Sequence, residues 1–436
     1  MSHRPPIDDF LPRRDDLRGE RSLVVILAIS ALLFVDIQLP VIGSSNRLLA
    51  VLVLPLLLFG RSHISTPFCA AAAFLLPVYF LVPPLIHQDV DAHDFITVFV
   101  FQMTAVGAMV LLARVLAHED QRRKLTDALI LFAIGSAMIA TLQRYGALEP
   151  LGRDRWGHAV TVSDSLRGAG FLADPNFLAA ALASVIPLAL NWRFRRVRWL
   201  AVVVLGVGVN ATDSRMGILL TVLALVLSVT AGMGSRRDSV NSNRQKAVVV
   251  IAACLIALFA FNVGGQRDRV VEGVLIGVGV HDVATTADAI AGGTAHSRRQ
   301  AVLEWIDVGL NGLPFGVGIG ADDGFATRSS TGLVAHNSYV SAFAEGGVAG
   351  LLLDVTVLLC VACFIRRRTE PFAIMGIILA ASGLFLTYGL CMIVPLGLAD
   401  GIRAAGLGIR ERRGDAVHVP DSQTDLQPRS ESTTQL

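Results

Sequence analysis

The sequence is poor in charge and almost empty of lysine. Of its 436 residues only 17% are charged, two are lysine (Lys124 and Lys246), and 53% are hydrophobic. A mean hydropathy of +0.60 excludes a soluble domain of this length. Cysteine is scarce as well. The five, Cys69, Cys254, Cys360, Cys363 and Cys391, all lie in apolar runs, so no disulfide framework is expected. Cys360 and Cys363 form a C-x-x-C on a helix in lipid and read as small packing residues. H-E-x-x-H, G-x-S-x-G and G-x-x-x-x-G-K-[ST] are absent, and no Cys/His set has zinc spacing. The short alternating segments of a β-barrel are missing too. A net charge of +2, with arginines scattered in short clusters, gives no basic domain for nucleic acid.

What remains are apolar runs of membrane-spanning length. They cover roughly 22–43, 47–60, 66–86, 95–116, 125–147, 170–192, 197–213, 215–233, 247–264, 338–365 and 371–402. The expected class is an all-α polytopic membrane protein. The first run follows a tail with Arg4, Arg13, Arg14, Arg18 and Arg21; with no small-residue cleavage site before Gln38 it reads as a retained span. Arginine clusters follow alternate spans: Arg114 to Lys124, Arg193 to Arg198, Arg236 to Lys246 and Arg366 to Arg368. By the positive-inside rule these connections and the N-terminus are cytoplasmic. Arg403, Arg410, Arg412 and Arg413 keep that parity only if 371–402 is a hairpin, which gives about twelve spans. The expected organisation is a cytoplasmic tail (1–21), nine spans (22–264), one large extracytoplasmic loop (265–337), C-terminal spans (338–402) and a disordered cytoplasmic tail (403–436).

This topology isolates Arg167, Arg215, Arg298, Arg299 and His336 on the outer side, where arginine is disfavoured unless an anion uses it. Arg215 lies in the tight turn ATDSRMG (211–217), with almost no loop to carry it into water. Arg298 and Arg299 lie in SRRQAVLEW, where Ser297 and Gln300 have capping-box spacing and Val302, Trp305, Ile306 and Leu310 make an apolar stripe. Two arginines in the first turn of such a helix suit phosphate oxygens. His336 begins HNSYVSAFAEGGVAG, and an ordinary imidazole, largely neutral near neutral pH, is suited to take a proton from a hydroxyl. Glu345 lies deeper, beside glycines that let another backbone approach. Asp354 and Asp36 are weaker intramembrane candidates. Asp322 and Asp323 read as a solvated pair, and no metal or other cofactor is required.

Taken in order, RGAGFLADPNFLAAAL (167–182), ATDSRMGILL (211–220), SRRQAVLEW followed by LPFGVGIG, and HNSYVSAFAEGGVAGLLL (336–353) resemble the O-antigen ligase and polymerase superfamily of bacterial membrane glycosyltransferases. Met216 stands where glycine is more usual there, and the Arg-to-Trp spacing is longer, so either Arg298 or Arg299 is the match. The resemblance covers about 165–365 and implies a GT-C-like helical fold and metal-independent transfer. It implies an undecaprenyl-diphosphate-linked glycan as donor, a glycan or glycolipid as acceptor and a site on the outer face of the cytoplasmic membrane. Arg215 and Arg298 or Arg299 would hold the donor diphosphate, with help from Arg167, and His336 would be the base. Asn176 and Asn337, with Ser214 and Glu345, would support the site. Two other readings use the same residues: a glycolipid or anion transporter or flippase without bond formation, and a receptor or scaffold resting on the outer loop.

Overall fold

The structure is a computed structural model. It describes residues 14–35, 38–39, 43–44, 67–86, 106–149, 151, 167–172, 174–233, 300–318, 337–367, 369–384, 386 and 394–406. Eleven helices lie among them: α1 (Arg14–Phe34), α2 (Pro67–Ile86), α3 (Val106–Ala117), α4 (Glu119–Arg144), α5 (Pro175–Leu190), α6 (Arg198–Ala211), α7 (Arg215–Met233), α8 (300–311), α9 (Ser338–Arg366), α10 (Pro371–Ser382) and α11 (394–406). A two-residue antiparallel pair, β1 (Gln38–Leu39) and β2 (Gly43–Ser44), has Gln38 opposite Ser44. That pair corrects the first expected span. Its helix begins back in the arginine tail, at Arg14, and stops at Phe34 before the polar sequence around Asp36 and Gln38. The expected spans 47–60 and 247–264, most of the loop 265–337 and the tail beyond 406 lie outside the described residues.

Two of the helices, α4 and α9, are long and apolar enough to cross a membrane; five shorter ones are also apolar. The surface supports lipid contact. Leu351, Leu352, Val355, Leu358 and Leu359 on α9 and Leu131, Met138 and Leu142 on α4 are exposed at helical spacing. In water such stripes would favour association; in a bilayer they face acyl chains.

α5 is the centre of the bundle and packs against α4, α6, α7 and α10. Its AAALAS run explains why, since small side chains let neighbouring backbones come close. A Cβ on Gly217 of α7 would lie 2.5 Å from the Ala179 methyl. On the other side, α9 packs against α2 and α10.

The helix directions sort the connections into two ends. At one end Arg122, at the start of α4, bonds Glu370, just before α10. Asp127 accepts from the Trp192 indole (2.8 Å) and Arg193 (2.6 Å) in the α5–α6 turn. Arg367, after α9, donates to the Ile402 carbonyl of α11 (2.6 Å). Among the described residues, the arginine-rich connections before α4, between α5 and α6 and between α9 and α10 lie at one end; Arg236 to Lys246 lie outside the described residues. At the opposite end lie the C-terminus of α4, the start of α5, the α6–α7 turn, the start of α9 and the end of α10. Thus α10 leads away from the arginine-rich end and α11 returns to it, while residues 387–393 between them lie outside the described residues.

One cap joins distant parts of the chain. Asp400 on α11 is fully buried and accepts from the Phe68 (3.3 Å) and Cys69 (2.8 Å) amides in the first turn of α2. Those amides have no partner within their own helix. Asp400→Leu leaves both without an acceptor at about 1–3 kcal/mol each. It should lower the unfolding temperature in detergent well below that of Asp400→Asn, which keeps one acceptor oxygen. Of the C-x-x-C pair, Cys360 is buried and Cys363 exposed, so the two do not share an environment.

Candidate active site

The site starts with a cap. Asp174 accepts from the Asn176 amide (2.6 Å) and Pro175 occupies the first helical position, so LADPNF starts α5 by local chemistry alone. Ser214 does the same for α7, accepting from the Gly217 amide at 3.2 Å. Between α6 and α7 the chain reverses in three residues. Asp213 carries the sharp bend at φ 52°, a conformation aspartate tolerates better than most residues. Arg215 is the first residue of α7 and is half-buried. Its guanidinium stems from a helix N-terminus, where free amides and the helix dipole also favour an anion.

Arg167 completes this corner. Its Nε donates to the Thr212 carbonyl (2.9 Å), and its Nη2 donates to the Asn176 side-chain oxygen (3.1 Å) and the Asp213 carbonyl (3.4 Å). The Gly168 amide donates to Ala211 (3.0 Å). Arg167 is thereby a strut across the α6–α7 turn, and Asn176 holds that strut. Arg167, Asn176, Ser214 and Arg215 come together at one place.

Sequence reasoning missed the residue under this corner. Gln143 on α4 is 2% exposed. Its Oε1 accepts from Ala169 (2.9 Å) and Gly170 (2.8 Å), and its Nε2 donates to the Gly170 (3.0 Å) and Glu149 (3.4 Å) carbonyls. The turn it grips needs its glycines: a Cβ on Gly168 would sit 2.1 Å from the Ala140 carbonyl oxygen, and Gly170 has φ +63°. A polar residue in an apolar run was the one available signal. Gln143→Met keeps the volume and removes all four bonds, leaving two buried amides unsatisfied. It should cut the rate of any Arg215-dependent reaction about 10-fold or more. Gln143→Glu, which retains the acceptor oxygens, should fall between it and the native protein.

The second part of the site is the start of α9. Asn337 caps it, accepting from Tyr339 (3.0 Å) and Val340 (3.2 Å). The Ser338 amide donates to Gly383 (2.8 Å), the Ser338 hydroxyl to Leu386, and the Tyr339 hydroxyl to Ala380 (2.7 Å). The end of α10 thus holds the start of α9, and α10 also packs on α5 and α7, which carry the arginine corner. His336 lies outside the described residues, one position ahead of Asn337. Arg298 and Arg299 also lie outside them, immediately before α8.

α9 is not the continuous span expected over 338–365. It breaks at Gly347 (φ 55°). The segment 313–318 enters the break: the Val317 and Gly318 amides donate to the Ala344 and Glu345 carbonyls (both 3.0 Å), and Val348 donates to Pro314 (2.9 Å). Backbone groups freed by the break are satisfied from another segment, the condition for irregular backbone at membrane depth. The glycines beside Glu345 do admit a second backbone. Glu345 is buried at 9% exposure, and its carbonyl is part of this stitch.

α8 docks beside the same break. Trp305, fully buried, packs with Ala344, while Gly309 lies against Phe343 and Ala344. The buried stripe is Ala301, Trp305 and Gly309, with Val302 packed against it; of the expected stripe Trp305 and Val302 face this contact, while Leu310 is 56% exposed. Glycine, absent from an apolar count, is what allows the close contact.

A protein-family profile described as O-antigen ligase matches residues 200–355. No curated protein and no solved structure matches the chain. The matched stretch holds the Arg215 turn, α8, the segment stitched into α9 and the break itself, while Gln143, Arg167 and Asn176 precede it. The match over residues 200–355 supports a place for this stretch in the O-antigen ligase/polymerase superfamily.

Proposed function

We propose that the protein moves a glycan from an undecaprenyl-diphosphate-type lipid to an acceptor hydroxyl at the outer face of the cytoplasmic membrane. The family match supports a glycosyltransferase-type membrane enzyme. The observation that carries the finer reading is the shared end of the bundle: the arginine corner at the start of α7 and the start of α9, next to His336, are joined through α10.

In this reading the His336 imidazole takes the proton of the acceptor hydroxyl as its oxygen attacks the anomeric carbon. The bond from that carbon to the diphosphate oxygen breaks, and the lipid diphosphate leaves with the electron pair. Charge grows on the leaving group during the step. Arg215, with Arg298 or Arg299, holds it most tightly at that moment, which is how rate is gained. Arg167 acts chiefly through Arg215, by bracing the turn that carries it. Guanidinium groups supply the charge that a metal would otherwise provide.

The test is purified protein with an undecaprenyl-diphosphate-linked glycan and candidate acceptors, scored by product mass. A new glycosidic bond, lost in His336→Ala, is the expected result. The broken α9, with Asp354 buried on it, also fits a glycolipid transporter. That reading requires His336→Ala to move substrate normally and no new bond to form in the native protein.

A further inference from the structure

The α5–α6 turn, at the arginine-rich end of the bundle, has no part in the transfer site. Its sequence is WRFRRVRW (192–199). Asp127 fixes the turn through Trp192 and Arg193. What projects outward alternates guanidinium with apolar groups. Arg193, Arg195 and Arg196 are exposed. So are Phe194 (46%), Val197 (43%), Trp199 (41%) and Leu200 (60%). Arg193 lies over the Phe194 ring at 4.7 Å and Arg198 over Trp199 at 5.2 Å. Below the turn Leu200, Val203 and Val207 continue as an exposed stripe along α6.

Three carboxylates at this end are engaged by other arginines. Asp127 serves Arg193, Glu119 serves Arg122 and Arg123, and Glu370 serves Arg122. Burial pushes the Glu370 carboxyl up, with Glu119 adding to the rise and Arg122 and Arg367 opposing it. Among the described residues no carboxylate pairs with Arg195 or Arg196. Two exposed guanidinium groups, aromatic rings at their level and an aliphatic stripe beneath have the layered polarity of a phospholipid: phosphate, glycerol region, acyl chain.

We propose that the turn 192–199 and the adjoining face of α6 form a binding site for an anionic phospholipid. Arg195 and Arg196 hold the phosphate, Phe194 and Trp199 lie in the glycerol region, and the acyl chains run along Leu200, Val203 and Val207. The site is independent of the transfer reaction and can be tested whether or not that reading holds.

The experiment compares the native protein with Arg195→Gln/Arg196→Gln in detergent. Phosphatidylglycerol, phosphatidylcholine with the same chains, or inorganic phosphate is added to each. Retained lipid is read by native mass spectrometry and unfolding temperature by a thermal scan. Phosphatidylglycerol should be retained by the native protein over phosphatidylcholine and raise its unfolding temperature. The double variant should lose that retention roughly 10-fold or more, since each basic group near a lipid surface contributes appreciably. Half a molar salt should weaken retention in the native protein. Equal retention by both proteins, no preference over phosphatidylcholine, or the same stabilisation from inorganic phosphate would overturn the proposal. Should the double variant fail to fold, Trp199→Ala serves instead, with the same reduced retention expected and the same equality counting against it.

Discussion

Arg215→Ala is expected to lower glycan transfer by roughly 10²- to 10³-fold while the protein still inserts and folds, the range found when one donor to a developing negative charge is removed. Three observations converge on this residue. It begins α7, so the helix dipole adds to its charge. It follows Ser214, whose hydroxyl caps that helix. The Arg167 strut pins the two residues that precede Ser214. None of these three contacts uses the Arg215 side chain, so all three remain in the variant. Arg215→Lys keeps the charge and loses the planar fork, and should recover part of the rate. Turnover with purified donor is the measurement. Full activity in Arg215→Ala would remove the guanidinium from the mechanism.

Gly347→Ala is expected to lower both stability and transfer by a different route. A Cβ there would stand 2.3 Å from the Pro314 carbonyl oxygen, and φ is +55°. A left-handed conformation costs an alanine about 1–2 kcal/mol even without a clash. Relieving the clash means withdrawing 313–318 from the break, which frees the Ala344 and Glu345 carbonyls that this segment satisfies. Gly316→Ala strikes the other side of the same stitch, with its Cβ 2.2 Å from the Glu345 carbonyl oxygen. Both should lower the unfolding temperature by several degrees and the transfer rate by about 10-fold or more, since a misplaced catalytic group is costly even from a distance. Gly206→Ala, with nothing within 4 Å, is the control. If Gly347→Ala unfolds and turns over like the native protein, the stitch is incidental.

Much of this could be read along the chain. Hydropathy marked the helices, because lipid contact requires a run of apolar residues whatever the neighbours are. The arginine clusters sorted the connections into two ends, because charge avoids the hydrocarbon core. Asp174, Ser214 and Asn337 cap helix starts in the structure through bonds that reach only two or three residues ahead. The order of Arg167, Arg215, the large loop and His336 pointed to the family that the profile match then supported.

What only the tertiary structure decided are the bonds between segments far apart in sequence. Gln143 grips a turn 26 or 27 residues away, and Asp400 caps a helix 331 or 332 residues away. The break in α9 is closed by 313–318, and the buried edge of α8 runs through Gly309 instead of Leu310. A buried amide or carboxylate needs a partner, but nothing periodic in the sequence says which one. Glycine admits a neighbouring backbone without naming it. Local pattern therefore specified which segments are helical and which end they share, and packing chose how those segments are tied together around Arg215.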